Sequence, residues 1–324
     1  MNEKKAEIEG RKMHQSIQTK EVRKRMKKSA KEANRWNTGQ RKFFLTRWFE
    51  KKRGGMDMPD ERVDAFRRLH SSGCFVMPNP WDAGSARALE YLGFKALATT
   101  SAGFAWTLGL ADDDVGLAEA LGHLRVIVDA VTVPVNADFQ GGFAVDPEQV
   151  KENVKRAVAT GVAGLSIEDA TGDQAEPLYE FDLAVERIRA ARAAIDESGA
   201  GVVLTGRSEG FVRGRPDLAE TIRRLVAYAE AGADCLYAPR IETTDQVAAI
   251  VAAVAPKPVN VLINAPFLTV ADAAALGVRR ISVGGTLARA AWGGFLQAAH
   301  EIAQDGTFAA FQQLPDVEGM FRRP

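Results

Sequence analysis

Short runs of apolar and β-branched residues alternate with longer amphipathic segments from about residue 60 onward. The runs are mostly continuous, which is typical of parallel strands that are buried on both faces. One run and one amphipathic segment together span roughly 25–35 residues, the length of a βα unit. We therefore predict eight strands, at Cys74–Pro78, Ala96–Thr100, Val133–Phe139, Gly164–Glu168, Gly201–Gly206, Cys235–Pro239, Val259–Asn264 and Arg280–Val283.

The amphipathic segments predict the helices of the same units. They lie at Ser85–Leu92, Leu117–Ala130, Pro147–Ala159, Leu183–Ser198, Asp217–Ala231, Thr244–Ala255, Val270–Leu276 and Thr286–Gln304. Eight such units over roughly 250 residues predict a (β/α)₈ TIM barrel. An open doubly wound sheet is the alternative, but it usually has a glycine-rich turn after its first strand. Here that strand is followed by NPWDAGSA, which favours the barrel.

Charge divides the chain into two unlike parts. Residues 1–55 carry 18 Lys and Arg against 6 Asp and Glu, whereas the remainder carries 24 against 36. We predict a basic N-terminal extension over residues 1–57, flexible or partly helical, a catalytic barrel over 58–305 and a C-terminal tail over 306–324. The extension is interpreted as a solvated tail or as sequence upstream of a start at Met56 or Met58. A basic patch for nucleic acid or an anionic surface is the third interpretation, and nucleic acid is not the expected partner.

Cysteine content and hydropathy restrict the protein class further. Two cysteines, Cys74 and Cys235, exclude a disulfide framework and argue against a zinc cluster. No apolar run approaches the roughly 20 residues that span a bilayer, and no secretory signal is visible. We therefore predict a cytoplasmic protein without membrane contact.

Chemistry in a barrel is expected where strands end and the following loops begin. Those positions hold carboxylates, hydroxyls, amides and one arginine but no histidine, which disfavours a Ser–His–Asp triad and a histidine-rich zinc site. Oxygen ligands suit Mg²⁺ or Mn²⁺. Asp138 and Glu168 on adjacent strands could hold such an ion, and Arg207 on the next strand could grip a carboxylate. Gly284, before the last helix, could bind an anion through its N–H or serve packing alone, and Asn260 on strand 7 is a further substrate-binding candidate.

Five stretches in this order resemble the isocitrate lyase/phosphoenolpyruvate mutase superfamily over about Phe75 to Ala291. They read PNPWDAGSARALEYLGFKALATTSAG, PVNADFQGGF, GLSIEDA, LTGRSEGF and GVRRISVGGTLARAA. The resemblance implies a Mg²⁺-dependent barrel acting on a 2-oxo acid or its enolate, commonly as a tetramer whose last helix is exchanged between subunits.

The resemblance also implies roles for individual residues. Asp138 matches a metal-site aspartate, and Glu168 matches the acid that holds metal-bound water. Ser101, with the N–H groups near Ala102 and Gly103, matches the grip on the substrate carboxylate. Arg207 matches the arginine at the oxo-acid end, and Asp112 falls near the reacting centre.

Two departures from the superfamily pattern shape the functional prediction. The second strand-3 acid is replaced by a neutral residue, Gln140 or Asn136 depending on register, and we assign Gln140 to the metal site. The Lys-Lys-Cys-Gly loop of the lyases proper is missing, which argues against isocitrate or methylisocitrate lyase chemistry that uses that cysteine.

The leading prediction is a lyase that cleaves or forms a C–C bond beside the carbonyl of a 2-oxo acid. The alternatives are P–C chemistry on a phosphonopyruvate-like compound and a non-catalytic oxo-acid-binding barrel. Candidates for the general acid or base are Tyr179, Glu176, Asp112 and Glu209, and we assign Asp112 and Glu209 to the catalytic set together with Arg207.

Overall fold

The computed structural model describes residues 61–321, so the predicted N-terminal extension lies outside the described residues. Within them, eight parallel strands form a nearly closed barrel, which confirms the predicted (β/α)₈ fold. The strands are β1 Phe75–Met77, β2 Leu97–Ala98, β3 Val135–Asp138, β4 Gly164–Glu168, β5 Val203–Arg207, β6 Cys235–Tyr237, β7 Val259–Leu262 and β8 Arg280–Ser282.

Helices precede, separate and follow these strands. They are α1 Glu61–Ser71, α2 Ala83–Tyr91, α3 Ser101–Thr107, α4 Leu117–Ala130, α5 Pro147–Val158, α6 Phe181–Ser198, α7 Leu218–Glu230, α8 Thr244–Val254, α9 Val270–Ala275, α10 Thr286–Asp305 and α11 Glu318–Phe321. Short 3₁₀ turns lie at Asp112–Asp114 and Ala309–Gln313. Apolar faces of the helices pack on the outer side of the sheet, and the core fills the space between these two layers.

A side chain helps to close the barrel between its first two strands. Strand pairing runs from β1 through β8 to β2, and β1 meets β2 through the hydrogen bond from Ala98 N–H to the Pro78 carbonyl at 3.1 Å. The buried Asn79 side chain donates to the Thr99 carbonyl at 3.0 Å. Its Oδ1 accepts from the N–H groups of Val283 and Gly284, both at 2.9 Å. Asn79 thus ties the ends of β1, β2 and β8 together.

Helix α1 covers the end of the barrel at which the strands begin. Phe66 is fully buried, and its ring lies so close to Gly164 that a Cβ there would stand 2.6 Å from it. One helical turn later, His70 donates from Nδ1 to the Phe66 carbonyl at 2.8 Å, because a carbonyl oxygen can only accept. Its Nε2 accepts from the Arg280 guanidinium at 3.2 Å, because an arginine can only donate. His70 is therefore neutral and carries its proton on Nδ1.

Acid is expected to destabilise the fold through His70. Burial, followed by the nearby Arg280 and Arg67, lowers the pKa of His70 to about 3, although the hydrogen bond to Phe66 opposes this. Because the pKa is lower in the folded state, the stabilisation is complete above pH 6.5 and is lost as the pH falls toward 3. At pH 5 the loss is roughly 1–2 kcal/mol.

The measurement is urea unfolding of the wild-type protein and of His70→Gln between pH 8 and pH 4. Carboxylates titrate equally in both proteins, so the difference between the two stability curves isolates the histidine. The wild-type curve should fall more steeply below pH 6.5, and parallel curves would show that His70 is not held neutral.

The C-terminal part of the chain is apolar but poorly covered. Helix α10 has 20 residues, and Ala288 is its one buried residue. Large exposed side chains lie along it and the segment that follows, namely Trp292, Phe295, Leu296, Ile302, Phe308, Phe311, Leu314 and Val317. The predicted tail over 306–324 includes α11, whose Phe321 ring faces the Arg87 guanidinium at 5.6 Å. Within residues 61–321, no helix combines the length and apolar character needed to cross a bilayer.

Candidate active site

The polar ends of β3, β4 and β5 meet at one point of the barrel mouth. Arg207 Nη1 lies 3.1 Å from Asp138 Oδ1 and 3.2 Å from Glu168 Oε2. The three residues are the last ones of their strands, and adjacent parallel strands place such ends side by side. The convergence predicted from the sequence is therefore observed.

Asp138 is fixed from three directions. Its Oδ2 accepts from both the N–H and the hydroxyl of Ser101, each at 3.0 Å, and its Oδ1 faces Arg207. Its own N–H donates to Thr99 Oγ1 at 2.9 Å. The carboxylate is thus held at the first turn of α3 and points into the mouth, with less than a fifth of its side chain exposed.

Several charged side chains are crowded together in the mouth. Arg207 Nε also binds Glu209, whose side chain is 1% exposed, and Arg213 lies 3.9 Å from both Glu168 and Glu209. Burial raises the pKa of Glu168, and Glu209 and Asp138 add to this against the opposing effect of Arg207. Burial alone would lower the pKa of Arg207, but the surrounding carboxylates raise it well above its usual value.

Asp112 lies beside this network on the 3₁₀ turn that follows α3. Its Oδ1 is buried and has no hydrogen-bond partner. Burial, followed by repulsion from Asp138, raises the pKa of Asp112 to about 6. Together with Asp138, Glu168 and Glu209 it brings four carboxyl groups around the two guanidiniums of Arg207 and Arg213.

Gln140, the third residue predicted for the metal site, lies beside the Asp112 turn. Its backbone has a φ of 46°, a left-handed conformation that is uncommon for a residue with a side chain. The side-chain amide donates to the Asp112 carbonyl at 3.2 Å, so it braces the Asp112 turn. The main cavity of the mouth is lined by Asp112 and Asp138, whereas Gln140 and Glu168 line a neighbouring pocket.

At the start of α3, some groups of the predicted carboxylate-binding site already make hydrogen bonds within the protein. Ser101 donates to Asp138, and the Gly103 N–H donates to Thr100 Oγ1 at 3.2 Å. A Cβ at Gly103 would stand 2.6 Å from the Thr100 methyl group, so glycine permits a close approach here. Ser101 and Ala102 line the main cavity, while the Gly284 N–H is taken by Asn79.

Behind the mouth, two buried groups support the loops that carry these residues. Asp169 accepts from the Glu209 N–H at 2.7 Å and from the Tyr228 hydroxyl at 2.6 Å, which makes it the structural member of the Glu168-Asp169 pair. Arg187, 1% exposed, donates to three carbonyl groups of the loop after β3, those of Gly141, Ala144 and Val145.

A cavity of about 480 Å³ extends from the mouth into the barrel. Several of its lining residues were not singled out from the sequence as site residues, namely Trp106, Tyr237, Arg240, Arg280 and Arg289. A sequence signal existed for Arg280, because a charged residue inside a buried strand needs a reason. The predicted substrate-binding residue Asn260 lies in the same interior, 1% exposed, and accepts from Arg280 at 2.9 Å.

The residues of the mouth fit a divalent cation that is held by few direct ligands. Among residues 61–321, no group of three His, Cys, Asp or Glu side chains is arranged to enclose a metal. Mg²⁺ does not need such a cage, since it keeps several waters and takes one or two carboxylates. The unpartnered Asp112 Oδ1, and the crowding of Asp112 and Asp138 that helps to raise the pKa of Asp112, are what a bound divalent ion would relieve.

Known proteins share this architecture. Residues 66–303 match the family model described as phosphoenolpyruvate phosphomutase. A structure from Burkholderia cenocepacia J2315, provisionally described as a lyase/mutase, is 47% identical, covers 83% of this chain and 99% of its own, and has a TM-score of 0.80. A phosphonopyruvate hydrolase in complex with oxalate and Mg²⁺ is 28% identical, with 79% and 92% coverage and a TM-score of 0.71.

Several curated relatives carry the name of an activity. The oxaloacetate decarboxylase of Rhodopseudomonas palustris (strain BisB5) is 32% identical over 202 residues, which are 59% of this chain and 68% of the relative. The match to the family model covers most of the chain and includes Asp138, Glu168 and Arg207. The chain therefore belongs to the phosphoenolpyruvate phosphomutase family, within the isocitrate lyase/phosphoenolpyruvate mutase superfamily.

Proposed function

We propose that this protein is a Mg²⁺-dependent lyase that cleaves or forms a C–C bond next to the carbonyl of a 2-oxo acid. The observation that carries the proposal is that the carboxylates of Asp138 and Glu168 both lie within 3.2 Å of Arg207 Nη1 at the mouth of a cavity. Carboxylates suited to a hard cation and a guanidinium suited to a carboxylate stand side by side there. A 2-oxo acid offers both partners at once.

Asp138 would hold the cation directly, while Asp112 and Glu168 would hold its waters. When bound, Mg²⁺ would act as a Lewis acid on the carbonyl oxygen of the substrate. Mn²⁺ could take the same ligands.

Arg207 would hold the negative charge of the oxo-acid end. Its Nη1 and Nε bind carboxylates of the protein, whereas its Nη2 takes part in none of those contacts. Glu209 is buried behind the guanidinium and outside the cavity lining, so its part is to position Arg207. Cleavage of the bond beside the carbonyl leaves its electron pair as an enolate, and the fixed guanidinium stabilises that charge as it develops.

Asp112 is the best-placed group for proton transfer. It lines the cavity with a buried Oδ1 that has no partner, and its turn is braced by Gln140. In a decarboxylation the other fragment leaves as CO₂, and the proposed step is delivery of a proton from the Asp112 carboxyl to the enolate carbon. In a retro-aldol cleavage the Asp112 carboxylate takes the proton of the substrate hydroxyl as the other fragment leaves as a carbonyl compound, and then returns that proton to the enolate carbon. The loop after β4 contains no cysteine, so chemistry that depends on one is not proposed.

A panel of substrates tests the proposal against its two alternatives. Oxaloacetate, a 2-hydroxy dicarboxylate such as 2,3-dimethylmalate, and phosphonopyruvate would each be incubated with protein and Mg²⁺ or with EDTA. Pyruvate or another 2-oxo product that forms only with Mg²⁺ from oxaloacetate or the 2-hydroxy dicarboxylate supports the C–C lyase. Phosphate or phosphoenolpyruvate from phosphonopyruvate alone would replace it with P–C chemistry, which the phosphonopyruvate hydrolase relative makes the second candidate. Binding of oxalate without turnover of any of these substrates would favour the non-catalytic oxo-acid-binding barrel.

Self-association through α10 is the expected quaternary arrangement. The helix exposes Trp292, Phe295 and Leu296, more apolar surface than an isolated barrel helix normally leaves uncovered. We expect light scattering to give a mass of several subunits for the wild-type protein, and a lower mass for Phe295→Asp. Val126→Asp changes an equally exposed valine on α4 and should not alter the mass. A wild-type monomer at micromolar concentration would contradict the expectation.

A further inference from the structure

The inside of the barrel is polar below Asp138. Barrel interiors are usually filled by branched apolar side chains. Here the cavity continues inward from Asp138 along uncharged polar walls and reaches a charged floor. The polar interior residues in its lining are Asn136, Ser166, Tyr237, Asn260, Arg280 and Ser282, beside the apolar Met77, Ala98 and Leu262.

Arg280 forms the floor of this cavity. It is the first residue of β8 and is 2% exposed. Its guanidinium crosses the barrel and donates from Nη2 to Thr205 Oγ1 on β5 at 3.0 Å. Thr205 lies two residues before Arg207 on that strand, which is roughly 7 Å along the chain. The Arg207 guanidinium therefore lies at the mouth, and the Arg280 guanidinium lies two residues of β5 deeper in the barrel.

The charge of Arg280 is not neutralised by the protein. Its three hydrogen-bond partners are Asn260, Thr205 and the neutral His70. In the part of the chain that the structure describes, no ion pair involves Arg280. Arginine stays protonated in proteins, and a buried charge without a counter-charge is costly. A neutral amide side chain could link these strands by hydrogen bonds equally well. The presence of a charged side chain at this position therefore needs another explanation.

The guanidinium also has donors to spare and is held in a fixed orientation. Three of its five N–H groups are used, which leaves one on each terminal nitrogen. Asn260 donates to Ser282 Oγ at 2.9 Å, and this fixes the carbonyl end of its amide toward Arg280. In the same cavity, the buried Asn136 Oδ1 has no hydrogen-bond partner. A ligand could supply both missing partners. Its acid group would accept from the free N–H groups of Arg280, and a hydrogen-bond donor elsewhere on the ligand would bind Asn136 Oδ1.

We propose that Arg280 is a second anion-binding position, which takes the far carboxylate of a substrate whose 2-oxo acid end lies at Asp138 and Arg207. The inference rests on the proposed function and narrows its substrate class to oxo acids with a second carboxylate two or three atoms beyond the carbonyl. The spacing between the Arg207 and Arg280 guanidiniums would select substrates by the distance between their two acid groups.

Inert analogues of different tails test the proposal by calorimetry in the presence of Mg²⁺. Oxalate has no tail, N-oxalylglycine ends in a carboxylate, and N-isobutyloxamate replaces that carboxylate by an isosteric isopropyl group. Wild-type protein should bind N-oxalylglycine about tenfold or more tightly than N-isobutyloxamate, as expected for a charge-assisted contact in a buried site. Arg280→Met should remove this preference and leave oxalate binding unchanged.

Arg279→Met is the matched control, because the neighbouring arginine donates to the Gly73 carbonyl on the outer side of the barrel. It should keep the preference. Equal affinity of the two tailed analogues in the wild-type protein overturns the inference, as does an unchanged preference in Arg280→Met.

Two further outcomes separate this inference from other failures. If Arg280→Met does not fold, Arg280→Gln gives the same test, because glutamine can keep a neutral contact with Asn260 or Thr205. Wild-type protein that binds none of the three analogues, oxalate included, contradicts the proposed function rather than the role of Arg280.

Discussion

Replacing Asp138 by alanine is expected to lower Mg²⁺-dependent turnover about 10³-fold or more, because the variant loses the direct ligand of the cation. Asp138 is also the residue that joins Ser101 to Arg207. Arg207 keeps Glu168 and Glu209 in the variant, so the fold should persist. The measurement is the initial rate on the best substrate of the panel at saturating Mg²⁺.

Asp129→Ala serves as the control, because Asp129 is an exposed aspartate on α4. It should turn over at the wild-type rate. An Asp138→Ala rate within about threefold of wild type, still abolished by EDTA, would mean that the cation binds elsewhere.

Arg207→Met is expected to destabilise the protein by about 3–5 kcal/mol, the usual cost of removing one partner from buried ion pairs. Asp138, Glu168 and Glu209 would then face one another with Arg213 as the remaining nearby cation. Equilibrium unfolding in urea measures the loss, and activity should vanish in parallel.

The loss should depend on pH in a defined direction. Without Arg207, the pKa of Glu168 rises further above its unfolded value, so the folded variant takes up a proton more readily than the unfolded chain does. The stability difference between variant and wild type should therefore shrink as the pH falls from 8 toward 5. Arg189→Met, which removes an exposed pair with Glu186, should cost at most about 0.5 kcal/mol. A midpoint of Arg207→Met equal to that of wild type would contradict the role of the ion pairs.

Much of this arrangement was predictable from the order of residues along the chain. Parallel strands place their last residues at one rim, so Asp138, Glu168 and Arg207 had to lie near one another once the barrel was assigned. The same rule gives no contact partners, because these depend on how side chains share the space between strands. Gln140 shows this, since its left-handed backbone turns the amide toward Asp112.

The barrel interior was harder to predict for a related reason. Whether Arg280 points inward depends on the register of β8 against β7, and a shift of one residue would place it outside. Its contacts with Thr205 and His70 bridge 75 and 210 positions of sequence, distances over which a pattern carries no information. The sequence shows that Arg280 lies in a buried strand, but it does not show whether the side chain points into the barrel or away from it.

The central claim is that one cation and one oxo acid bind together at Asp138, Glu168 and Arg207. It is tested most directly by titrating oxalate into the wild-type protein with Mg²⁺ and again with EDTA. We expect Mg²⁺ to tighten oxalate binding at least about tenfold, and oxalate to tighten Mg²⁺ binding by the same factor, as linkage requires. Oxalate that binds equally well without the metal, or fails to bind with it, would contradict the account.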